Sequence, residues 1–181
     1  GMLTIALLGK KLSPRAAGTI GTLAIALAFV FAVLTLIKLQ ALPHDARVET
    51  TSLWALVNVD GVKIQLGLYI DPLSTFMILV VTGVSTLIHL YSAGYMQTDA
   101  GYVRYFSYLN FFVFSMLLLV LAGNMVLLII GWAFVGAASY MLVSYWYRRD
   151  TATAAGIKAF VINVVGDIGL ERQCPSARLG D

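Results

Sequence analysis

At 181 residues, 60% of them hydrophobic and 12% charged, with a mean hydropathy of +0.87, the chain carries more apolar surface than a soluble core of its size can hide; this points to a polytopic membrane protein. Its net charge of +3 is distributed over the ends of apolar runs instead of one patch, so topology explains it and no nucleic-acid partner is implied. The lone Cys174 excludes an intrachain disulfide and every multi-cysteine metal or iron-sulfur motif, and the chain has only His44 and His89 and no glycine-rich phosphate loop, so it offers no nucleotide, flavin or cluster site.

Residues 1–9 are apolar but too few to span a bilayer, and Lys10, Lys11 and Arg15 follow the apolar run, the reverse of a signal peptide. They read as the end of a first helix. Residues 16–37 are predicted to form a full span, with Gly18 and Gly21 near its start, entered from the basic side that the positive-inside tendency places in the cytoplasm. After Pro43 a polar stretch leads to VNVDGVKIQL, in which Asp60-Gly61 between alternating residues predicts a hairpin with a two-residue turn. In that register Val57 and Val59 share a face with Val62 and Ile64, and Asn58 and Lys63 share the other. The hairpin is expected on the extracytoplasmic surface, as a scaffold or subunit contact.

The next predicted span covers residues 73–95, opened by Asp71 as a helix cap and Pro72 at the first helical position. Thr82, Ser85, Thr86, His89 and Ser92 recur at three- and four-residue spacing and share one face. For His89 two readings stand side by side: a proton relay, since its ordinary pKa is ~6.5, and a neutral histidine bonded to a neighbouring helix. A turn over residues 97–104, with Arg104 as its positive charge, precedes a span over 105–122 that has no ionisable residue in its core and reads as packing. Gly123 and Asn124 form the following turn, Asn124 capping the next helix.

That helix, residues 125–147, ends in Tyr145, Trp146, Tyr147, Arg148 and Arg149, an aromatic and basic ending expected at the cytoplasmic interface. Ala133, Ala137, Tyr140 and Ser144 fall along one side, with Gly136 adjacent, a small-residue pattern suited to close helix approach. The segment returning across the bilayer carries Lys158 and Asp167, each costing on the order of ~3 kcal/mol among apolar residues. They lie nine positions apart, about half a revolution and roughly 13 Å along the axis. They cannot pair with each other, so each needs company from another helix or a wet cavity. Asn163 shares the face of Asp167.

GWAFVGAASYMLVSYWY followed by AAGIKAFVINVVGDIGL, with IDPLSTFMILVVTGVSTLIHLYSAGYM and GYVRYFSYLNFFVFSMLLLVLAGN upstream, resembles the antiporter-like large membrane subunit of respiratory complex I over residues 67–170. The large subunit of Mrp-type sodium/proton antiporters is similar. The resemblance implies an all-α polytopic membrane fold of about five transmembrane helices with a small extracytoplasmic β-hairpin. It divides the chain into residues 1–66 (partial first helix, second helix and hairpin), 67–122 (third and fourth helices), 123–170 (fifth and sixth helices, the start of the proton-translocating domain) and an atypical tail, 171–181.

By the same resemblance Lys158, Asp167 and His89 are expected on a proton pathway; for Lys158, about two turns from the arginine turn, snorkelling to the cytoplasmic interface or packing stands beside that reading. Ala133 replaces the glutamate of the family's GWE motif, which pairs in the family with a lysine on a seventh helix, and Val164 stands where a basic residue often occurs. No bond-making catalysis is expected in this chain: NADH, flavin, iron-sulfur clusters and quinone belong to partner subunits, and the partners are other complex I membrane subunits and the lipid bilayer. A bacterial plasma membrane is the expected location, with the mitochondrial inner membrane as the alternative. An Mrp-type antiporter subunit and a truncated, non-functional fragment are the rival readings. The tail ERQCPSARLGD departs from the family's apolar continuation, as a frameshift, an artificial terminus or a contig edge would produce.

Overall fold

A computed structural model describes residues 4–5, 13–41, 49–59, 62–99 and 101–173, those of 49–59, 62–66 and 167–173 by their backbone alone. Lys10, Lys11, His44, the Asp60-Gly61 turn and Cys174 lie outside the described residues. The elements are α1 (Pro14–Ala41), β1 (Glu49–Val59), β2 (Val62–Ile70), α2 (Pro72–Tyr95), α3 (Tyr102–Val120), α4 (Met125–Val143) and α5 (Asp150–Gln173). The fold is all-α and polytopic with one small hairpin, as expected, and α1 to α4 are each long and apolar enough to cross a membrane.

The polarity of the bundle is the reverse of a soluble protein's. Thr82, His89, Ser92, Asn110 and Ser115 are buried, whereas Phe31, Leu73, Leu87 and Tyr91 are exposed. Hydrocarbon tails are as apolar as leucine, so the outward faces need no cover, while hydroxyls and amides must turn inward or bond to their own helix. Most hydroxyls do the latter. Thr22 donates to the Gly18 carbonyl (2.8 Å), Thr82 to that of Ile78 (2.7 Å), Thr86 to that of Thr82 (2.7 Å) and Ser115 to that of Phe111 (2.8 Å).

Helix starts follow from local chemistry. Asp71 accepts from the Ser74 backbone N–H (2.7 Å) while the Ser74 hydroxyl accepts from the Asp71 N–H (2.9 Å), a reciprocal capping box completed by Pro72. These bonds, the Ser74 side chain foremost, hold the Asp71 carboxyl below the usual carboxylate range. Asn124 accepts from the Leu127 N–H (2.8 Å) and starts α4 in the same manner.

The hairpin has the register read from its alternation, Val59 opposite Val62, Asn58 opposite Lys63 and Val57 opposite Ile64. Its strands extend well beyond that stretch, with irregularities between Ser52 and Trp54 and between Ala55 and Val57. The far end of β2 is stitched to the α3–α4 turn. Tyr69 N–H donates to the Leu121 carbonyl (3.1 Å) and Gly123 N–H to that of Gly67 (2.9 Å). A β-carbon on Gly123 would meet the Gly67 carbonyl, so glycine is what admits the strand here.

α1 packs on α2 and α3, α3 on α4, and α4 on α5. Gly131 of α4 approaches the backbone of α3 so closely that a β-carbon there would lie 2.9 Å from Leu119 Cα. At the end of the bundle opposite the hairpin, Ile5, Ala17, Met96, Tyr102, Phe106 and Tyr145 form a common apolar cluster.

Beside that cluster the α2–α3 turn is tied to the end of α4. Asp99 Oδ1 accepts from the Gly101 N–H (2.7 Å) and the Tyr145 hydroxyl (2.8 Å), and Oδ2 from the Trp146 indole N–H (3.4 Å). This tie accounts for one departure from expectation: the helix predicted to run to residue 147 ends at Val143, because Tyr145 turns back to Asp99 and its carbonyl accepts from Arg104 (3.4 Å). The Gly101 N–H, then the Tyr145 hydroxyl, hold the Asp99 carboxyl below the usual range, while burial and then the Asp99 bond push the Tyr145 phenol up and keep it a donor.

A carboxyl lowered on folding contributes stability that is complete above its unfolded pKa of ~3.9 and is lost as pH falls through the folded value. In the chain with Trp54→Phe and Trp132→Phe, Trp146 emission is therefore expected to be constant from neutral pH to about 4 and to change below it. Asp99→Asn removes that transition. A transition of equal size in the Asn variant would show that another group drives it.

Candidate functional site

α2 and α3 meet at a buried polar pair. His89 and Asn110 are 0% and 3% exposed. His89 Nδ1 lies 2.7 Å from the Ser85 carbonyl oxygen, Nε2 lies 3.2 Å from Asn110 Nδ2, and that amide also donates to the Phe106 carbonyl (3.0 Å). The assignment of protons follows from what each atom can do. A carbonyl only accepts, so Nδ1 carries the hydrogen; the Nε2 lone pair then receives one Asn110 N–H while the other serves Phe106. This is a neutral imidazole with both ring nitrogens occupied, braced by the Phe106 ring at 5.8 Å and 66°. Gly21 of α1 makes room for it, since a β-carbon there would sit 2.7 Å from Asn110 Nδ2.

The chemistry open to the pair is narrow. A second proton at Nε2 would face an N–H, so the amide would have to rotate and present its oxygen, losing the bond to Phe106. Asn110 was missed by a reading that looked for ionisable groups in residues 105–122; a lone amide in the run FSYLNFFVF, in a segment that must satisfy every polar group internally, was the available signal.

The remaining candidates lie elsewhere. Ala133 is exposed, and the close approaches on α4 fall at Gly131 toward α3 and at Gly136, where a β-carbon would collide with the Asn163 amide of α5. Ala133 itself is thus outside the contact seam, although Tyr140 and Ser144 farther along its stripe meet α5; the Leu119 backbone of α3 and the Asn163 amide of α5 select the glycines on either side of Ala133. Gly156 of α5 likewise admits Ser144.

Lys158 is exposed, among Ala154, Ala155, Ile157, Val161 and Ile162, and makes no hydrogen bond or ion pair among the described residues. Half a turn away, Gly156 and Asn163 face α4, and periodicity puts position 167 on their stripe; the Asp167 side chain lies outside the described residues. Since α2 packs on α1 and α3, and α5 on α4, His89 and Lys158 are not gathered into one constellation.

If the His89–Asn110 bond holds α2 to α3, the cycle formed by His89→Leu, Asn110→Leu and the double variant will show a coupling of roughly 0.6–2 kcal/mol in detergent unfolding. Strict additivity would mean that the two side chains merely adjoin.

Residues 54–106 match the family described as complex I NADH-ubiquinone oxidoreductase chain 5 N-terminus, and residues 122–171 match the transmembrane family of NADH:quinone oxidoreductases and Mrp antiporters. The chain is 37% identical over 171 residues to NADH-quinone oxidoreductase subunit L of Neisseria meningitidis, covering 93% of the chain and 25% of that relative. It is 51% identical over 114 residues to the subunit L of Mycobacterium tuberculosis, covering 63% of the chain and 18% of the relative. Against NADH-ubiquinone oxidoreductase chain 5 of Allomyces macrogynus it is 37% identical over 167 residues, covering 92% of the chain and 26% of the relative. The chain therefore spans about a quarter or less of the length of these relatives. With four apolar helices, a stitched hairpin and both matched regions in this order, the chain belongs to the family of antiporter-like membrane subunits that comprises NADH-quinone oxidoreductase subunit L and chain 5.

Proposed function

We propose that the chain is part of a proton-translocating membrane subunit of an NADH:quinone oxidoreductase, working in a bacterial plasma membrane beside other membrane subunits. NADH, flavin, iron-sulfur clusters and quinone belong to those partners, and this chain supplies groups that hold and pass protons. The observation that carries the reading is the pair of family matches, on residues 54–106 and 122–171.

The geometry around Lys158 supports it. An ammonium on the outward side of an apolar helix costs on the order of ~3 kcal/mol in lipid, so this position is stable only against further protein or water. There its proton affinity falls whenever a second positive charge approaches and rises when one leaves, which is the property a driven relay requires. Asp167 would serve on the α4 side of the same helix, and His89 behind the Asn110 amide. Ala133 brings no carboxylate to α4, so the family's pairing of that position with a lysine on a seventh helix is lost.

In a full-length subunit carrying this sequence and assembled into its complex, Lys158→Met is expected to lower protons pumped per NADH oxidised at least twofold, with Lys38→Met as the neutral comparison. An unchanged ratio would remove Lys158 from the path. Ala133→Glu is expected to raise the ratio, while the chain alone in proteoliposomes conducts no protons. The second matched family also names Mrp antiporters; sodium-driven proton exchange without NADH oxidation would assign the chain to that branch instead.

A further inference from the structure

At the end of the bundle opposite the hairpin, we propose that Arg104, which lies over the Tyr147 ring, and Arg148, next to Tyr147 in the chain, bind the phosphate of an anionic membrane phospholipid. The Arg104 guanidinium carbon lies 5.2 Å from the centroid of the Tyr145 ring and 5.1 Å from that of Tyr147, within the range of a cation held on an aromatic face. Arg149 rests on Trp146 in the same way, at 5.4 Å. The start of α3 and the α4–α5 turn, far apart in sequence, thus place two guanidinium groups on one aromatic shelf, and Arg148 follows Tyr147 directly in the chain. Arg148 and Arg104 both lie close enough to the Tyr147 phenol to hold it below its ordinary value, Arg148 foremost.

The charge of this shelf is not consumed among the described residues. Asp99 is a neighbouring carboxylate and Arg104 contributes to holding it ionised, yet its oxygens are occupied by Gly101, Tyr145 and Trp146. No carboxylate forms an ion pair with Arg104, Arg148 or Arg149 among the described residues. Apart from the Arg104 N–H given to the Tyr145 carbonyl, aromatic faces hold the cations without using up their N–H donors, and a planar guanidinium matches a phosphate bidentately.

The depth of the site selects the source of the phosphate. Tyr147 and Trp146 are 57% and 49% exposed just past the end of α4 at Val143, level with the start of α3 at Tyr102. Amphipathic rings at span ends sit among headgroups, and juxtamembrane basic residues attract anionic lipid. A phospholipid held there by its phosphate extends its chains along the exposed apolar side chains of α4.

The test is native mass spectrometry of the full chain in detergent, titrated with phosphatidylglycerol or phosphatidylcholine. Phosphatidylglycerol is expected to bind at least tenfold more tightly, and Arg104→Gln with Arg148→Gln to remove about tenfold of that affinity. Lys38→Gln, at the other end of α1, should leave it unchanged. Arg148→Gln alone, an exposed position with no part in helix packing, is expected to lose several-fold, which keeps the test valid if the double variant misfolds. Equal binding of the two lipids, an equal loss in Lys38→Gln, or displacement of phosphatidylglycerol by inorganic phosphate at matched concentration would each overturn the proposal.

Discussion

A hydrogen-bonding group placed in hydrocarbon has only protein to turn to, and this constraint accounts for more of the structure than any apolar contact does. Its simplest solution appears along α1, α2 and α3, where threonine and serine hydroxyls bond the carbonyl one turn back. His89 and Asn110 cannot both be satisfied that way. Each keeps one bond to its own helix and gives the remaining valence to the other, so that the cheapest arrangement of two polar side chains is also a fastening between helices.

The two ends of the bundle are fastened by different means. At one, backbone groups of β2 and of the α3–α4 turn pair directly, with Gly123 allowing the approach. At the other, a single carboxylate collects three donors from two turns. The first is a continuation of sheet geometry and is insensitive to pH. The second depends on Asp99 remaining ionised, with Arg104 contributing to that.

Much of this was legible in the sequence, and what was not follows a pattern. Apolar run lengths located the helices, Asp60-Gly61 set the hairpin register through alternation that leaves one pairing consistent, and Arg148-Arg149 marked a bundle end. Helix ends held by tertiary contacts could not be read locally: nothing near Val143 announces a stop, since the cause is Asp99, 46 residues before Tyr145. Asn110 escaped for a related reason, because its partner lies on another helix 21 residues away. Ala133 looked like a packing residue by spacing, and only three-dimensional neighbours show that Gly131 and Gly136 make the contacts.

The unequal apolarity of the helices bears on how the protein is made. α1 to α4 can partition from a translocation channel into lipid on composition alone. α5, with Lys158 turned outward and Asp167 within its length, gains little by doing so unaided. Its glycine and asparagine face must first find α4, which makes the fourth helix a docking template for the fifth during biosynthesis.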